Sequence, residues 1–346
     1  MTGLMATGID LDPMTALTAQ VLDAGDAARA LGTLRVDPAI AAAPDGQASR
    51  AAVAMALNIY LFDGLLRRVP SGAAYVADVI AGGGTVQFDH GALRTILMPG
   101  AAATGALPPG EAAFTRILLP LGYTLAGTYP LPRLRMTGRA YAHADHPETI
   151  PQFFLSELHV DQFDAGFAEA AGRVFGTSVD PLGDEANHVL AAFAAGRIVT
   201  IAEAAAALPQ LVRAFDRQHE APALADYETL LAGSAEAGWI ATEGNAFNHA
   251  TDRVPDVETL AAAQRALGRP MKDKVEVSAS GRVRQTAFRA DTVTRPFVTP
   301  EGAVMRDVPG SFYEFISRDI DPETGRIDLR FDSANAAGIF AMTKAS

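Results

Sequence analysis

The sequence predicts an α+β protein in which two β-α-β-β-β modules curl into one incomplete mixed-sheet barrel, with helices before it and a helical insert within it. Three observations carry that prediction. The pattern F-x-H-x-x-x-R occurs twice, as Phe88-Asp89-His90-Gly91-Ala92-Leu93-Arg94 and as Phe247-Asn248-His249-Ala250-Thr251-Asp252-Arg253. Each copy is followed, about 65 residues later, by an aromatic run with a carboxylate: Phe153-Phe154-Leu155-Ser156-Glu157 and Phe312-Tyr313-Glu314-Phe315. Between the members of each pair, strand-like and helix-like segments recur in the same order. Two such units, paired through their sheets, would turn their histidines and carboxylates toward a shared centre.

Taken in order, residues 1–346 read as a single catalytic domain with a helical region (1–80), a first module (85–160), a helical insert (163–236) and a second module (239–320). Within 48–67, Val53, Leu57, Tyr60, Leu61 and Leu65 fall at helical spacing before Arg67-Arg68 and Pro70 end the helix. Ser71 to Ile80 reads as a shorter helix. The Gly82-Gly83-Gly84 triplet then breaks the pattern, and no Lys-Ser/Thr follows it, which disfavours a phosphate loop. Thr85 to Met98 reads as a strand, and Pro109 to Leu118 as a helix with Glu111 in its first turn. Strands follow at Tyr123 to Tyr129, Leu134 to Tyr141 and Gln152 to Val160. After the alanine-rich insert, Trp239 to Ala250 reads as a strand with His249 near its end. Asp256 to Leu267 reads as a helix stopped by Gly268. Lys274 to Ser278, Val283 to Phe288, Thr292 to Val298 and Ser311 to Arg318 read as strands, the last set up by Pro309-Gly310.

Composition narrows the function. With 346 residues, 49% hydrophobic and 20% charged, the chain is globular and long enough for a sizeable core. A net charge of −12 argues against nucleic-acid binding, which calls for a basic stripe. There is no cysteine, so a metal site must be built from His, Asp or Glu. Met-Thr-Gly-Leu-Met-Ala at the start has no basic-then-apolar pattern, so no leader is expected. The longest apolar run, Ala51 to Leu66, contains Asn58 and Asp63 and suits a buried helix better than a membrane span. The expected location is cytoplasmic.

In the predicted geometry the inward positions are His90 and Glu157 in the first unit, His249 and Glu314 in the second. Two histidines and a carboxylate on separate strands can occupy one face of a non-haem Fe(II), leaving open positions for substrate and oxygen. Arg94 stands four residues after His90, about 13 Å along a regular strand and on the same face. Its fork can grip a substrate carboxylate bidentately. Glu157 has three readings: fourth ligand, support for a ligand, or structural carboxylate. His159 lies on the Glu157 face. His143 and His146 read as a surface turn beside Pro147, and His188 and His219 lie in helical stretches with no partner pattern.

At these residues the chain resembles the bacterial 2-oxoadipate dioxygenase/decarboxylase family, relatives of the vicinal oxygen chelate superfamily. The resemblance rests on Asp89 to Thr95, on Phe247 to Arg253, on Arg284-Gln285-Thr286-Ala287-Phe288 and on Phe312 to Arg318. It implies Fe(II) held by His90, His249 and Glu314, with Arg94 on the distal carboxylate and Gln285 orienting a substrate oxygen. Ser156, in the aromatic run of the first unit, joins the expected substrate-binding residues. The implied reaction takes 2-oxoadipate and O₂ to 2-hydroxyglutarate and CO₂, without a nicotinamide. The N-terminal helices, the insert and the short C-terminus depart from the better-known members, so the pocket and substrate can differ. Two alternatives stay open: a redox-inert isomerase or lyase using Zn(II), Mn(II) or Ni(II), favoured by a fourth ligand at Glu157, and a binding protein without turnover.

Overall fold

A computed structural model describes residues 13–332 apart from 20, 21, 23, 42 and 45. The expectation that the first residues carry no leader lies outside the described residues. The centre of the architecture is an eight-stranded sheet. The first unit supplies β1 (Phe88–Leu97), β2 (Tyr123–Leu131), β3 (Met136–His143) and β4 (Gln152–His159). The second supplies β5 (Phe247–Arg253), β6 (Glu276–Val277), β7 (Val283–Ala287) and, after a hairpin of β8 (Thr292–Thr299) and β9 (Gly302–Pro309), β10 (Phe312–Arg318). Across the sheet the order is β2-β3-β4-β1-β5-β10-β7-β6. In each unit the first strand lies innermost, parallel to its own last strand. The two first strands meet antiparallel at the middle. The sequence repeat has become a pseudo-twofold axis between β1 and β5, and the sheet curls into a half-barrel.

Helices close both faces. The N-terminal region forms α1 (Pro13–Thr18), α2 (Ala24–Thr33), α3 (Pro38–Ala41), α4 (Arg50–Leu66) and α5 (Pro70–Ala81). Ser49 caps α4 by accepting the Ala52 N–H, and the helix is buried on almost every side. That is why its apolar run is continuous. Among the described residues no helix is long and apolar enough to cross a membrane. Helix α5 packs Tyr75 edge-on against Phe315, with ring centroids 4.8 Å apart, on the outer face of the sheet. Each unit carries its own crossover helix, α6 (Ala112–Leu118) and later α12 (Val257–Ala266), the latter capped by Asp256. The insert contributes α7 (Ala165–Phe175), α8 (Asp184–Ala194), α9 (Ile201–Arg213), α10 (Leu224–Gly233) and α11 (Ala235–Glu243). Helices α7, α10 and α11 bury Phe167, Leu230, Trp239 and Ile240 against Ile96, Met136 and Leu158, covering one end of the inner face.

Two expectations change. The predicted strand from Trp239 to Ala250 begins only at Phe247, because Trp239 belongs to α11. Ser234 caps that helix through the Ala237 N–H, and Gly244, at φ +64°, turns the chain into the strand. A short apolar run fits a buried helix as well as a strand, and the cap decides. The strand at 292–298 exists, but it pairs with β9 outside the main sheet.

The local geometry of β1 and β5 explains the F-x-H pattern. In a regular strand Phe and His two apart would share a face. Here the register slips by one between Phe88 and His90, and by one between Ala92 and Leu93, where His249 and Phe247 are the partners. Asp89 and Asn248 are therefore the extra residues of two β-bulges. Each bulge sends its phenylalanine outward into the helix-side core and its histidine inward. Gly91, opposite, has no room for more: a Cβ there would lie 2.2 Å from the Phe247 ring. Gly91→Ala is expected to destabilise the fold by about 1–3 kcal/mol through overpacking. A thermal melt of the two proteins checks this, and an unchanged midpoint would refute the packing argument.

Candidate metal centre

His90 on β1, His249 on β5 and Glu314 on β10 converge on the inner face, all buried, with one ligand atom from each within 4.8 Å of the others. Glu314 Oε2 lies 3.4 Å from Nε2 of both histidines. The parallel pairing that sets Glu314 beside Thr251, and the antiparallel pairing that sets Thr251 beside His90, fix this arrangement.

The outer nitrogens are already engaged. His90 Nδ1 is 2.8 Å from Asp89 Oδ1, and His249 Nδ1 is 3.1 Å from Asn248 Oδ1. The two bulge residues thus orient the two imidazoles and leave each Nε2 facing the centre. Thr251 Oγ1 donates to Glu314 Oε2 at 2.6 Å and lies 3.1 Å from His90 Nε2. Glu314 Oε1 is buried with no hydrogen-bond partner. A buried carboxylate oxygen left so is costly unless a cation or proton faces it. Two oriented imidazoles, one carboxylate and this unsatisfied oxygen fit a divalent transition metal.

The electrostatics agree with that fit. Burial pulls the His249 imidazole down to about 3, against the opposing pull of Glu314, so it is a neutral donor. At His90 burial acts in the same direction, but Asp89 and Glu314 outweigh it and the net shift is upward. Burial would raise Glu314, yet the facing histidines and Thr251 hold it below its ordinary value, and it stays ionised. Asp89 is held well below the carboxylate range: burial is overcome by Arg318, Arg253 and His90. Arg253 Nε reaches Asp89 at 2.7 Å and Arg318 Nη2 at 2.9 Å.

The repeat is not symmetric in its chemistry. Glu314 pairs with the residue two after His249, whereas the residue pairing two after His90 is Phe154. Glu157, read as an inward position, is three residues further and on the outer face. There its carboxylate accepts the Glu111 N–H at 2.7 Å, ahead of α6, and pairs with Arg139 at 3.1 Å. It is a helix-end and ion-pair group, away from the histidines. His159 shares that face and bonds Thr137 at 2.8 Å. The arginines four residues after each histidine also diverge: Arg253 holds Asp89, while Arg94 lies 1% exposed over the Trp239 ring at 5.0 Å. Burial lowers the Arg94 guanidinium to about 10, and Glu236 on α11 opposes this.

Ser156 pairs with Arg94 across β1 and β4, and Gln285 pairs with Ile316 on β10, so both lie on the inner face and are buried. The remaining histidines lie elsewhere. His143 Nδ1 accepts the N–H groups of Asp145 and His146 in a turn, and burial lowers it to about 4. His188 is exposed beside Glu203, and His219 bonds the carbonyls of Glu220 and Ile240. Asp89, Asn248, Thr251, Trp239 and Phe331 all touch the centre or Arg94 without having been assigned a role from sequence. The signal for the first two was visible: a small polar residue precedes each histidine.

Known proteins place this geometry. Residues 85–328 match the family described as 2-oxoadipate dioxygenase/decarboxylase. A protein of Ralstonia eutropha JMP134 assigned to the glyoxalase superfamily is 56% identical, covers 92% of this chain and 98% of its own, and superposes with a TM-score of 0.88. Hydroxyglutarate synthase from Oryza sativa, solved with 2-oxoadipate, is 19% identical over 88% of this chain and 97% of its own, with a TM-score of 0.65. The Pseudomonas putida synthase with the same ligand is 18% identical over 96% of this chain and 74% of its own, at 0.55. At those identities the two synthases share the fold. No curated protein matches the sequence. The family match spans both units and all three converging residues, and the chain belongs to the 2-oxoadipate dioxygenase/decarboxylase family.

Proposed function

We propose that the chain is a single-domain Fe(II)-dependent dioxygenase/decarboxylase acting on a 2-oxo dicarboxylic acid, converting 2-oxoadipate and O₂ to 2-hydroxyglutarate and CO₂. The atoms balance with one O₂ consumed for each CO₂ released. The observation that carries this reading is the buried His90, His249 and Glu314 set with its one unsatisfied carboxylate oxygen. Iron held there would relay electrons from the 2-oxo acid to O₂ and offer the adjacent open positions at which the two meet.

The chain's own residues do the rest. Asp89 and Asn248 hold the imidazoles in the tautomer that turns Nε2 inward. Thr251 fixes Glu314 Oε2, the oxygen 3.4 Å from both Nε2 atoms, and so holds the carboxylate turned toward the histidines. Arg94, four residues along β1 from His90, binds the distal carboxylate about 13 Å away as the strand runs, less the reach of its own side chain. Trp239 beneath the guanidinium and the insert helices keep water from competing for it. Gln285 and Ser156 offer hydrogen bonds to substrate oxygens from the same face. The redox-inert alternative drew its support from a fourth ligand at Glu157, and that carboxylate is engaged on the other face.

The reading is tested by loading Fe(II) without oxygen, then following O₂ uptake and CO₂ release with a panel of 2-oxo acids. Uptake and release in a one-to-one ratio with 2-oxoadipate, abolished in His249→Ala and Glu314→Ala, is the expected result. Stoichiometric metal without uptake would move the assignment to a redox-inert enzyme. Arg94→Ala is expected to raise KM for the dicarboxylate about a hundredfold, the loss of roughly 2–3 kcal/mol of charge-assisted hydrogen bonding. A 2-oxo monocarboxylate should be unaffected, and equal loss for both would remove Arg94 from the distal end. Asp89→Asn is expected to weaken metal binding about 10–100-fold, read by competition with a chelator; unchanged affinity would leave Asp89 a purely structural ion pair.

A further inference from the structure

After the second unit the chain doubles back over the inner face. Four hydrogen bonds between sheet side chains and its backbone hold Asp328 to Phe331 there. Arg318 Nη1 donates to the carbonyls of Asp328 at 2.8 Å and Arg330 at 2.9 Å. Gln152 Nε2 donates to the Leu329 carbonyl at 3.2 Å, and the Phe331 N–H donates to the Tyr129 hydroxyl at 3.2 Å. These holders stand on β10, β4 and β2, so the segment bridges from the second unit to the far edge of the first.

Its end, Phe331, reaches the proposed metal site. The ring lies edge-on to His90, with centroids 4.8 Å apart at 89°, and 4.8 Å from the Phe154 ring. The Arg318 guanidinium is 5.2 Å from its centroid. Phe331 packs on the small cluster of Ala92, Ala140 and Phe154. Ala92 is the residue between His90 and Arg94 on the inner face, so the phenyl ring stands over the line from the metal ligands to the arginine. Beneath it the strands offer Ala92 and Ala140, which carry only a methyl group, while the Phe154 ring takes the space above Gly138. A cleft of about 340 Å³ remains between segment and sheet, lined by Tyr129, Ala140, Gln152 and Leu329 among others. That cleft lies beside Phe331, whose ring packs directly on the cluster and walls the inner face there.

We propose that Phe331 is a specificity-determining residue, the apolar wall along which the methylene chain of the acid lies between the metal ligands and Arg94, and that it selects the length of that chain. The proposal rests on the 2-oxo dicarboxylic acid reading and adds what that reading lacks, a feature that measures the chain between the two charged ends. Arg94 and the metal grip anionic groups, and neither distinguishes a carbon more or less by contact. A methylene chain running from the metal ligands to Arg94 past Ala92 lies along the phenyl ring and leaves water on that side. One methylene misfitted against such a wall is worth about tenfold or more in discrimination.

The test is binding of 2-oxoglutarate, 2-oxoadipate and 2-oxopimelate to metal-loaded protein without oxygen, by titration calorimetry, in wild type, Phe331→Ala and Phe331→Leu. Metal content and thermal midpoint are measured for each protein. The expected result is a preference of about tenfold or more for one length in wild type, retained in Phe331→Leu and collapsed to about twofold in Phe331→Ala with metal content unchanged. The same length profile in Phe331→Ala would place the selecting wall elsewhere and overturn the proposal. Tighter binding of all three acids in Phe331→Ala would make the ring a plug, which also overturns it. Binding of none of the acids by wild type would sink the 2-oxo acid reading and this role with it, whereas binding without length preference would sink this role alone.

Discussion

The buried carboxylate of Asp89 is the constraint on which the rest depends. It lies 1% exposed and accepts from His90, Arg253 and Arg318, groups contributed by β1, β5 and β10. A carboxylate so far from water persists only with its charge matched, and the two guanidiniums more than match it. The same interaction therefore clamps the three strands at the centre of the sheet and sets the tautomer of one imidazole. Through Arg318 it also anchors the segment that brings Phe331 over the site. Fold, imidazole orientation and the seating of Phe331 share one negative charge.

Much of this was legible in the sequence, for a physical reason. Repetition of F-x-H-x-x-x-R and of the aromatic-carboxylate run survives because each unit must present the same strand order to the sheet. The convergence of His90 and His249 with a carboxylate follows from that repetition, as does the inner-face position of Arg94, while the choice of Glu314 over Glu157 came from the family resemblance. What did not follow was parity. Matching the motifs by their aromatic runs set Glu157 against Glu314, whereas the hydrogen-bond register sets Phe154 there. A shift of three residues reverses the face, and nothing in composition reports it. The helix at Trp239 was hidden for another reason: its apolar run is buried on all sides and has no period to read. Phe331 lay beyond the second unit in a stretch without pattern, so only tertiary contact reveals it.

The departures from symmetry are where chemistry enters. One unit places a carboxylate beside its histidine and the other places a phenyl ring, so the duplicated scaffold yields one polar half and one apolar half of the inner face. The two arginines divide in the same way. Arg253 neutralises an internal charge, and Arg94 keeps its place over Trp239 at the other end of β1. A strictly symmetric pair of units would build two equal half-sites; the observed pair builds an inner face with direction, the His-His-Glu set at one end and a cation at the other.

The two bulges carry a consequence for how such a protein can change. Phe88 opposite Asp252 and Leu93 opposite Phe247 share one register, and only the stretch between is offset. The extra residue in one strand is cancelled by the extra residue in the other, as an insertion is suppressed by a second insertion nearby. Losing Asp89 alone would turn over the remaining half of its strand and every side chain on it. Losing both extra residues together would restore an unbroken ladder with neither imidazole supported. In lineage terms the two motifs are a linked pair: the fold can outlive the site, but half of the site cannot be inherited without the other half.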